Sequence, residues 1–217
     1  MPLVARIRPA GRQGGLRAVT LADGRRFLLE AEQVAAMGLC PEMSVDEELL
    51  VRLTALDDRA RARQAALLLL RYRPRSRMEV AARLRRRGFP PPVVDGIVAD
   101  LVAEGLLDDA HFARAWAEHR ALGQRGPARA RAELLRKGVD PTVVDEAVRE
   151  VFAGQEADLA AAVAERHLRR LSGLPVEVRL RRLAGLLRRR GFSGDVIAPL
   201  LRCHAGGGTE IPGDLSD

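Results

Sequence analysis

The sequence predicts a mainly α-helical fold: three tandem three-helix repeat units in an elongated array, with a small N-terminal β-hairpin and helix appendage. Three observations predict it. First, one pattern recurs three times, at Leu84–Phe89, Leu134–Val139 and Leu187–Phe192. Each has a leucine four residues before a glycine (Gly88, Gly138, Gly191), basic residues between, and an apolar residue after. The glycines lie 50 and 53 residues apart, a period that signals stacked helical modules. Second, Ala, Leu, Arg and Glu dominate the chain, and these are strong helix formers. Aromatic residues make up only 3%, so Leu, Val and Ala must fill the cores. Third, the start of the chain breaks this pattern. Val19 and Leu21 alternate before Ala22–Arg25, Phe27 to Leu29 follow, and Asp23-Gly24 supplies the positive φ angles of a tight hairpin.

Residues 1–57 form the appendage. After the hairpin at Leu16–Leu29, a helix starts near Glu30 and stops at Gly38, a C-terminal cap. A second short helix is expected near Val45–Leu53. The first repeat, 58–107, places helices near 60–72, 76–87 and 92–104. Ser76 with Glu79 three residues on is a capping box, and Pro90–Pro92 suit a turn and a helix start. The second repeat, 108–153, has helices near 108–122, 126–137 and 141–152, with Asp108 or Asp109 capping the first and Asp140-Pro141 opening the third. The third repeat, 154–205, has helices near 155–171, 175–190 and 194–203; Val176, Leu180, Leu183 and Leu187 form one apolar stripe. Val94, Val144 and Ile197 each follow the repeat glycine by six, so each unit has the same buried positions. Residues 206–217 read as a disordered tail.

Charge is unevenly distributed. Residues 1–57 carry −1, residues 58–205 carry +11 and the tail −3, within a net +7. A basic repeat array points to a polyanion or to an acidic protein surface. Coding bias explains why 35 of the 36 basic residues are Arg, but not the excess of base over acid. The longest apolar run, Ala65–Leu70, is too short to cross a bilayer, and no apolar h-region follows the N-terminus. Cys40 and Cys203 suggest neither a disulfide framework nor a zinc site. The expectation is a cytoplasmic protein with no membrane association, no cofactor and no metal.

Catalytic constellations find little support. Asp108 and Asp109 could be a carboxylate pair, but they sit at a helix start with no converging histidine, and read as caps. His111 and His119 are separated by about 12 Å of helical rise, too far to share a metal, and read as packed or half-exposed. Gly11–Gly15 lacks the context of a phosphate loop and reads as a flexible loop. Trp116 could stack on a base, but its spacing from Phe112 makes it a core position. With no nucleophile, base and orienting group to assemble, the chain does not read as an enzyme.

The basic clusters are the candidates for contact. Arg71, Arg73, Arg75 and Arg77 alternate across the loop between the first two helices of the first repeat. Arg85, Arg86 and Arg87, then Arg136 and Lys137, then Arg188, Arg189 and Arg190 recur at the end of the second helix of each repeat; Arg125 and Arg129 add to the second. Helix-dipole complementarity accounts for one or two cations per helix end, at a few tenths to about 1 kcal/mol each, but hardly for repeated triplets. Regular stacking would align these clusters as a ladder of charge. Contact with a polyanion or acidic partner and plain solvated surface both remain open on composition alone.

The segment Leu68–Phe89 and the segment Leu101–Val139 resemble the RecX family of recombinase regulators. Arg73 or Arg75, Ser76, Glu79 and Gly88 match one motif. Gly105, Asp108, Asp109, Phe112, Ala113 and Trp116 match a second; Arg120, Gly126, Arg129, Lys137 and Gly138 match a third. Val80 stands where leucine is usual. The match covers residues 60–155, more loosely the third repeat, and residues 1–57 are similar to an N-terminal extension that some members carry. The resemblance implies a non-enzymatic modulator, usually an inhibitor, of the RecA recombinase. It implies binding along the RecA–DNA filament and restraint of recombination and the SOS response, with no cofactor and no catalytic residue to carry over. An array completes its own core, so a monomer is expected. The alternative is a stand-alone DNA-binding repeat module that contacts the phosphate backbone without reading sequence.

Overall fold

The computed structural model describes residues 1–10 and 15–206; the expected flexible loop (apart from Gly15) and the expected disordered tail beyond Gly206 lie outside the described residues. The chain divides into two compact units, Met1–Leu107 and Asp108–Asp217.

In the first unit, the hairpin forms as β2 (Leu16–Leu21) and β3 (Arg26–Glu30), turning at Gly24 with φ +89°. A further strand, β1 (Val4–Ala10), pairs antiparallel with β2, so the appendage is a three-stranded sheet of order β1-β2-β3 rather than a hairpin. Only Val4 of β1 is buried, which is why no alternating pattern announces it. Its start is fixed instead by partners far along the chain: Val4 N–H donates to Met43 O at 2.9 Å and Glu42 N–H to Val4 O at 2.8 Å. The helix expected near Glu30 is α1 (Ala31–Ala36), closed by a capping box between Glu30 and Gln33.

The two helices expected at 45–53 and 60–72 are one helix, α2 (Glu47–Tyr72), of 26 residues. The segment between them holds no Gly or Pro, so nothing breaks the backbone; what changes there is the buried face. Leu49, Leu50, Leu53 and Leu56 pack against the sheet with Val19, Leu21, Phe27 and Leu29. Ala62, Ala65 and Ala66 join Val80, Leu84, Val94, Ile97 and Leu101 in a second core with α3 (Arg77–Arg86) and α4 (Pro91–Ala103). Asp57 ties the two parts together. Its Oδ1 accepts from the Leu28 N–H, on the open edge of β3, at 2.6 Å, and its carboxylate pairs with Arg61 at 2.7 Å. An otherwise unpaired edge amide is thereby satisfied.

The second unit holds α5 (Asp109–Leu122), α6 (Pro127–Arg136) and α7 (Pro141–Phe152) around one core, and α8 (Glu156–Arg169), α9 (Val176–Arg190) and α10 (Gly194–Gly206) around another. The expected stripe on α9 is buried only in its second half: Leu183 and Leu187 are fully buried, whereas Val176 is 43% exposed.

The repeated motif has one physical cause. Gly88, Gly138 and Gly191 have φ of +89°, +72° and +88°, the left-handed region. The N–H of the next residue then reaches back to the leucine carbonyl: Phe89 to Leu84, Val139 to Leu134, Phe192 to Leu187, at 3.4, 3.3 and 3.1 Å. This closure satisfies carbonyls that the helix end would orphan, and brings an apolar residue over the leucine. Leu84, Leu134 and Leu187 are fully buried, as are Val94 and Val144, with Ile197 at 3% exposure.

The third repeat meets the second through backbone. Gly126 N–H donates to Arg190 O at 2.8 Å and Ala128 N–H to Gly191 O at 3.1 Å. A Cβ on Gly126 would lie 2.3 Å from the Gly191 oxygen, and one on Gly191 would lie 2.4 Å from the Arg129 nitrogen. The two loops touch this closely because neither glycine has a side chain.

Candidate functional site

The first repeat uses several of its candidate cations internally. Arg73 pairs with Glu79 at 3.2 Å, Arg85 pairs with Asp95 at 2.8 Å, and Arg75 is half-buried with its Nε donating to Leu69 O at 3.2 Å. Burial, then the neighbouring Arg73, lower the Arg75 pKa. Arg71, Arg77, Arg86 and Arg87 are exposed, with Arg86 Nε donating to Ala82 O. The loop cluster therefore does not act as four equivalent charges.

In the second repeat a polar cluster centres on Glu133. Its carboxylate accepts from Trp116 Nε1 at 3.2 Å, Arg120 Nε at 2.5 Å and Arg129 Nε at 2.8 Å. The Arg120 guanidinium lies 4.3 Å and the Lys137 Nζ 4.2 Å from the Trp116 ring centre. Trp116, read from sequence as a core position, is instead half-buried at the edge of the core, its ring serving two cations. The i, i+4 spacing of Trp116 and Arg120 signals one half of this cluster, and that of Arg129, Glu133 and Lys137, on α6 and its cap, signals the other; what the sequence does not show is that the two halves meet. Arg136 is exposed. Burial pushes the Glu133 pKa up, but the bonds from Arg129 and Arg120 outweigh it and the net shift is downward. A carboxylate whose folded value lies below its unfolded one, about 4.3, stabilises fully above that value and loses its contribution as pH falls through the folded one. Glu133→Gln is expected to cost about 1–3 kcal/mol at pH 7, with the gap to the parent closing as pH falls below the unfolded carboxylate value; urea unfolding at neutral and acid pH checks it.

The third repeat differs. It holds ten arginines against five acids within residues 155–205, and among the described residues none of the ten is in an ion pair. Arg188 and Arg189 are exposed on the last turn of α9, while Arg190 is half-buried, its Nη1 donating to Gln124 O at 3.3 Å. Burial, then Arg125 and Arg166, lower the Arg190 pKa, and the bond to Gln124 O brings Arg190 beside the end of α5, far away in sequence. Arg166 and Arg170, absent from the sequence candidates, line the same place, and their i, i+4 spacing across the end of α8 is legible in the sequence.

The other constellations resolve simply. Asp108 caps α5 by accepting from Ala110 N–H at 2.8 Å and His111 N–H at 3.0 Å. His111 and His119 are both exposed rather than packed. Among the described residues, no group of His, Cys, Asp and Glu could hold a metal ion, and no helix is long and apolar enough to cross a membrane.

Comparison with known proteins bears on this arrangement. Three family models match: "RecX, first three-helix domain" at 62–101, "RecX, second three-helix domain" at 108–148 and "RecX, third three-helix domain" at 155–201. The chain is 41% identical over 145 residues to regulatory protein RecX of Thermobifida fusca, covering 66% of this chain and 78% of that one. It is 31% identical over 189 residues to regulatory protein RecX of Geobacillus kaustophilus, covering 87% and 69%. Two crystal structures share the fold at 23% identity. One, of regulatory protein RecX, has a TM-score of 0.74 over 90% of this chain and 97% of that one; the other, of RecX from Lactobacillus salivarius, has 0.64 over 69% and 97%. With matches to all three domains in their order along the chain, and this identity to proteins it spans for most of their length, the chain belongs to the RecX family of regulatory proteins.

Proposed function

We propose that this protein is a non-enzymatic regulator of the RecA recombinase, one that binds the RecA–DNA filament through its basic helical repeats. In this role it limits filament growth and RecA activity in recombination and the SOS response. The observation that carries the reading, beside family membership, is the third repeat: its ten arginines have no ion pair among the described residues, and the eight that are exposed direct their charge outward rather than spending it on the fold. In the first two repeats, pairs such as Arg63–Glu104, Arg85–Asp95 and Arg131–Asp145 neutralise much of the charge internally. Several weak contacts from linked repeats would multiply affinity without one tight site.

The test is RecA ATP hydrolysis on single-stranded DNA, with this protein added after filaments form and DNA kept in excess. A progressive fall in rate at amounts below that of RecA is the expected result; an unchanged rate would reject the reading. The same unpaired arginines favour a second reading, a stand-alone DNA-binding module working through phosphate contacts. That reading requires binding to DNA alone, with affinity falling by orders of magnitude between low and moderate salt.

A further inference from the structure

We propose that the junction of the second and third repeats holds a binding site for a single phosphate group. A cavity of about 50 Å³ opens to solvent there, lined by Gln124, Arg166, His167, Arg170 and Arg190 together with Val163 and Leu186. No carboxylate lines it, and among the described residues Arg125, Arg166, Arg170 and Arg190 are in no ion pair. The proposal does not depend on the RecA reading.

Three guanidinium groups, those of Arg166, Arg170 and Arg190, line one cavity and need an explanation. Three helix C-termini converge here, those of α5, α8 and α9, and each supplies only about half a negative charge. The three cations outweigh the three helix ends by roughly one and a half charges, so the junction is left short of an anion. A water-sized oxygen needs about 10–15 Å³ of such space, so the cavity has room for roughly the four oxygens of one phosphate. Guanidinium groups are the side chains best suited to phosphate oxygens, which they meet through paired N–H donors.

The site is also held in place before any ligand arrives. Arg190 is fixed by its bond to Gln124 O, and its backbone carbonyl accepts from Gly126 N–H. Gln124 is itself fixed at φ +53° by the closure of α5, in which Arg125 N–H reaches back to Arg120 O at 2.9 Å. His167 faces the same cations; burial first, then Arg170, Arg190, Arg189 and Arg182, lower its pKa. A bound anion offsets that repulsion, which makes the imidazole a reporter.

The phosphate group could come from a polynucleotide backbone or from a free phosphate, and the experiment separates these sources. Inorganic phosphate is titrated into the full-length protein at constant ionic strength, following the His167 imidazole signals by NMR, assigned with His167→Gln. The expected result is a saturable shift, weakened at least tenfold by Arg166→Gln or Arg170→Gln and largely restored by lysine at either position. Both side chains are exposed, so these variants keep the fold, as far-UV circular dichroism checks. A short single-stranded oligonucleotide that displaces phosphate, where its uncharged methylphosphonate analogue does not, identifies the backbone as the source. Phosphate binding without displacement identifies a free phosphate group. No saturable shift with either probe, or a shift indifferent to both substitutions, overturns the site. RecA inhibition measured on the same preparation reports on the regulatory function separately.

Discussion

Replacing Gly126 with alanine is expected to unfasten the third repeat from the second without unfolding either. The backbone there, φ −82°, accepts any residue, but the new methyl would sit 2.3 Å from the Gly191 oxygen. Neither side of that contact is a flexible side chain that can swing away. Forcing it costs about 1–3 kcal/mol, the range seen for overpacked cores, and moving apart loses the Gly126–Arg190 and Ala128–Gly191 hydrogen bonds. Gly191→Ala carries the same kind of clash, 2.4 Å from the Arg129 nitrogen, together with a φ of +88°. The left-handed conformation adds roughly 1–2 kcal/mol. Gly88→Ala isolates that second cost, because nothing lies within 4 Å of its added Cβ. The expected order of destabilisation in urea is therefore Gly191→Ala, then Gly126→Ala, then Gly88→Ala. Hydrogen exchange gives the sharper check. The amides of residues 126 and 128 should lose protection in the first two variants while Leu134 and Leu187 keep theirs. Unchanged protection at 126 and 128 would mean that the junction yields elsewhere.

Reversing Arg188 and Arg189 to glutamate should raise the amount of protein needed to halve RecA ATP hydrolysis more than tenfold. Arg114→Gln should change it less than twofold. The contrast rests on what each charge already faces. Arg114 pairs with Glu150 at 3.1 Å, so its removal alters the outward field little. Arg188 and Arg189 have no such partner among the described residues, and the double reversal moves the local charge by four. Some of the change falls on the fold, since cations at a helix end contribute about 0.3–1 kcal/mol each. Thermal unfolding of the same variant separates that loss from lost contact. Inhibition by the double variant equal to that of the parent would remove the end of α9 from the interface. In the first repeat, Arg85 is engaged with Asp95, so Arg86 and Arg87 are the counterparts to reverse next.

What the sequence announced was what short stretches of chain decide by themselves. The helix ends at Gly88, Gly138 and Gly191 close within six residues, and so do the Ser76–Glu79 box and the Asp23-Gly24 turn. Those signals, with the apolar spacing between them, placed the hairpin and the repeat helices from Arg77 onward; the first repeat helix proved to be the second half of α2. Strand β1 escaped because its order comes from Met43 and Glu42, and its exposed side chains carry no alternation. The continuity of α2 escaped because its apolar stripe changes partner near Asp57, and a changed face reads as a break. The candidate site divides in the same way. Runs such as Arg188–Arg190 are visible in one dimension. The junction of Arg190 and Gln124 with Arg166 and Arg170, and the gathering of Trp116, Arg120 and Lys137 about Glu133, exist only once helices from different positions meet.

Helix α2 has a geometric consequence. Because one uninterrupted helix packs the sheet at its start and α3 and α4 at its end, it behaves as a keyed shaft. Adding or deleting one residue between Leu56 and Ala62 would rotate the sheet by about 100° and shift it by about 1.5 Å relative to the first repeat. The Asp57 bond to Leu28 holds the sheet side and the Arg59–Asp100 and Arg63–Glu104 pairs hold the repeat side, so such a change at Asp58 could not leave all three in place. The appendage is thus indexed to the repeat it precedes, free to vary at its loops and locked in phase along its axle.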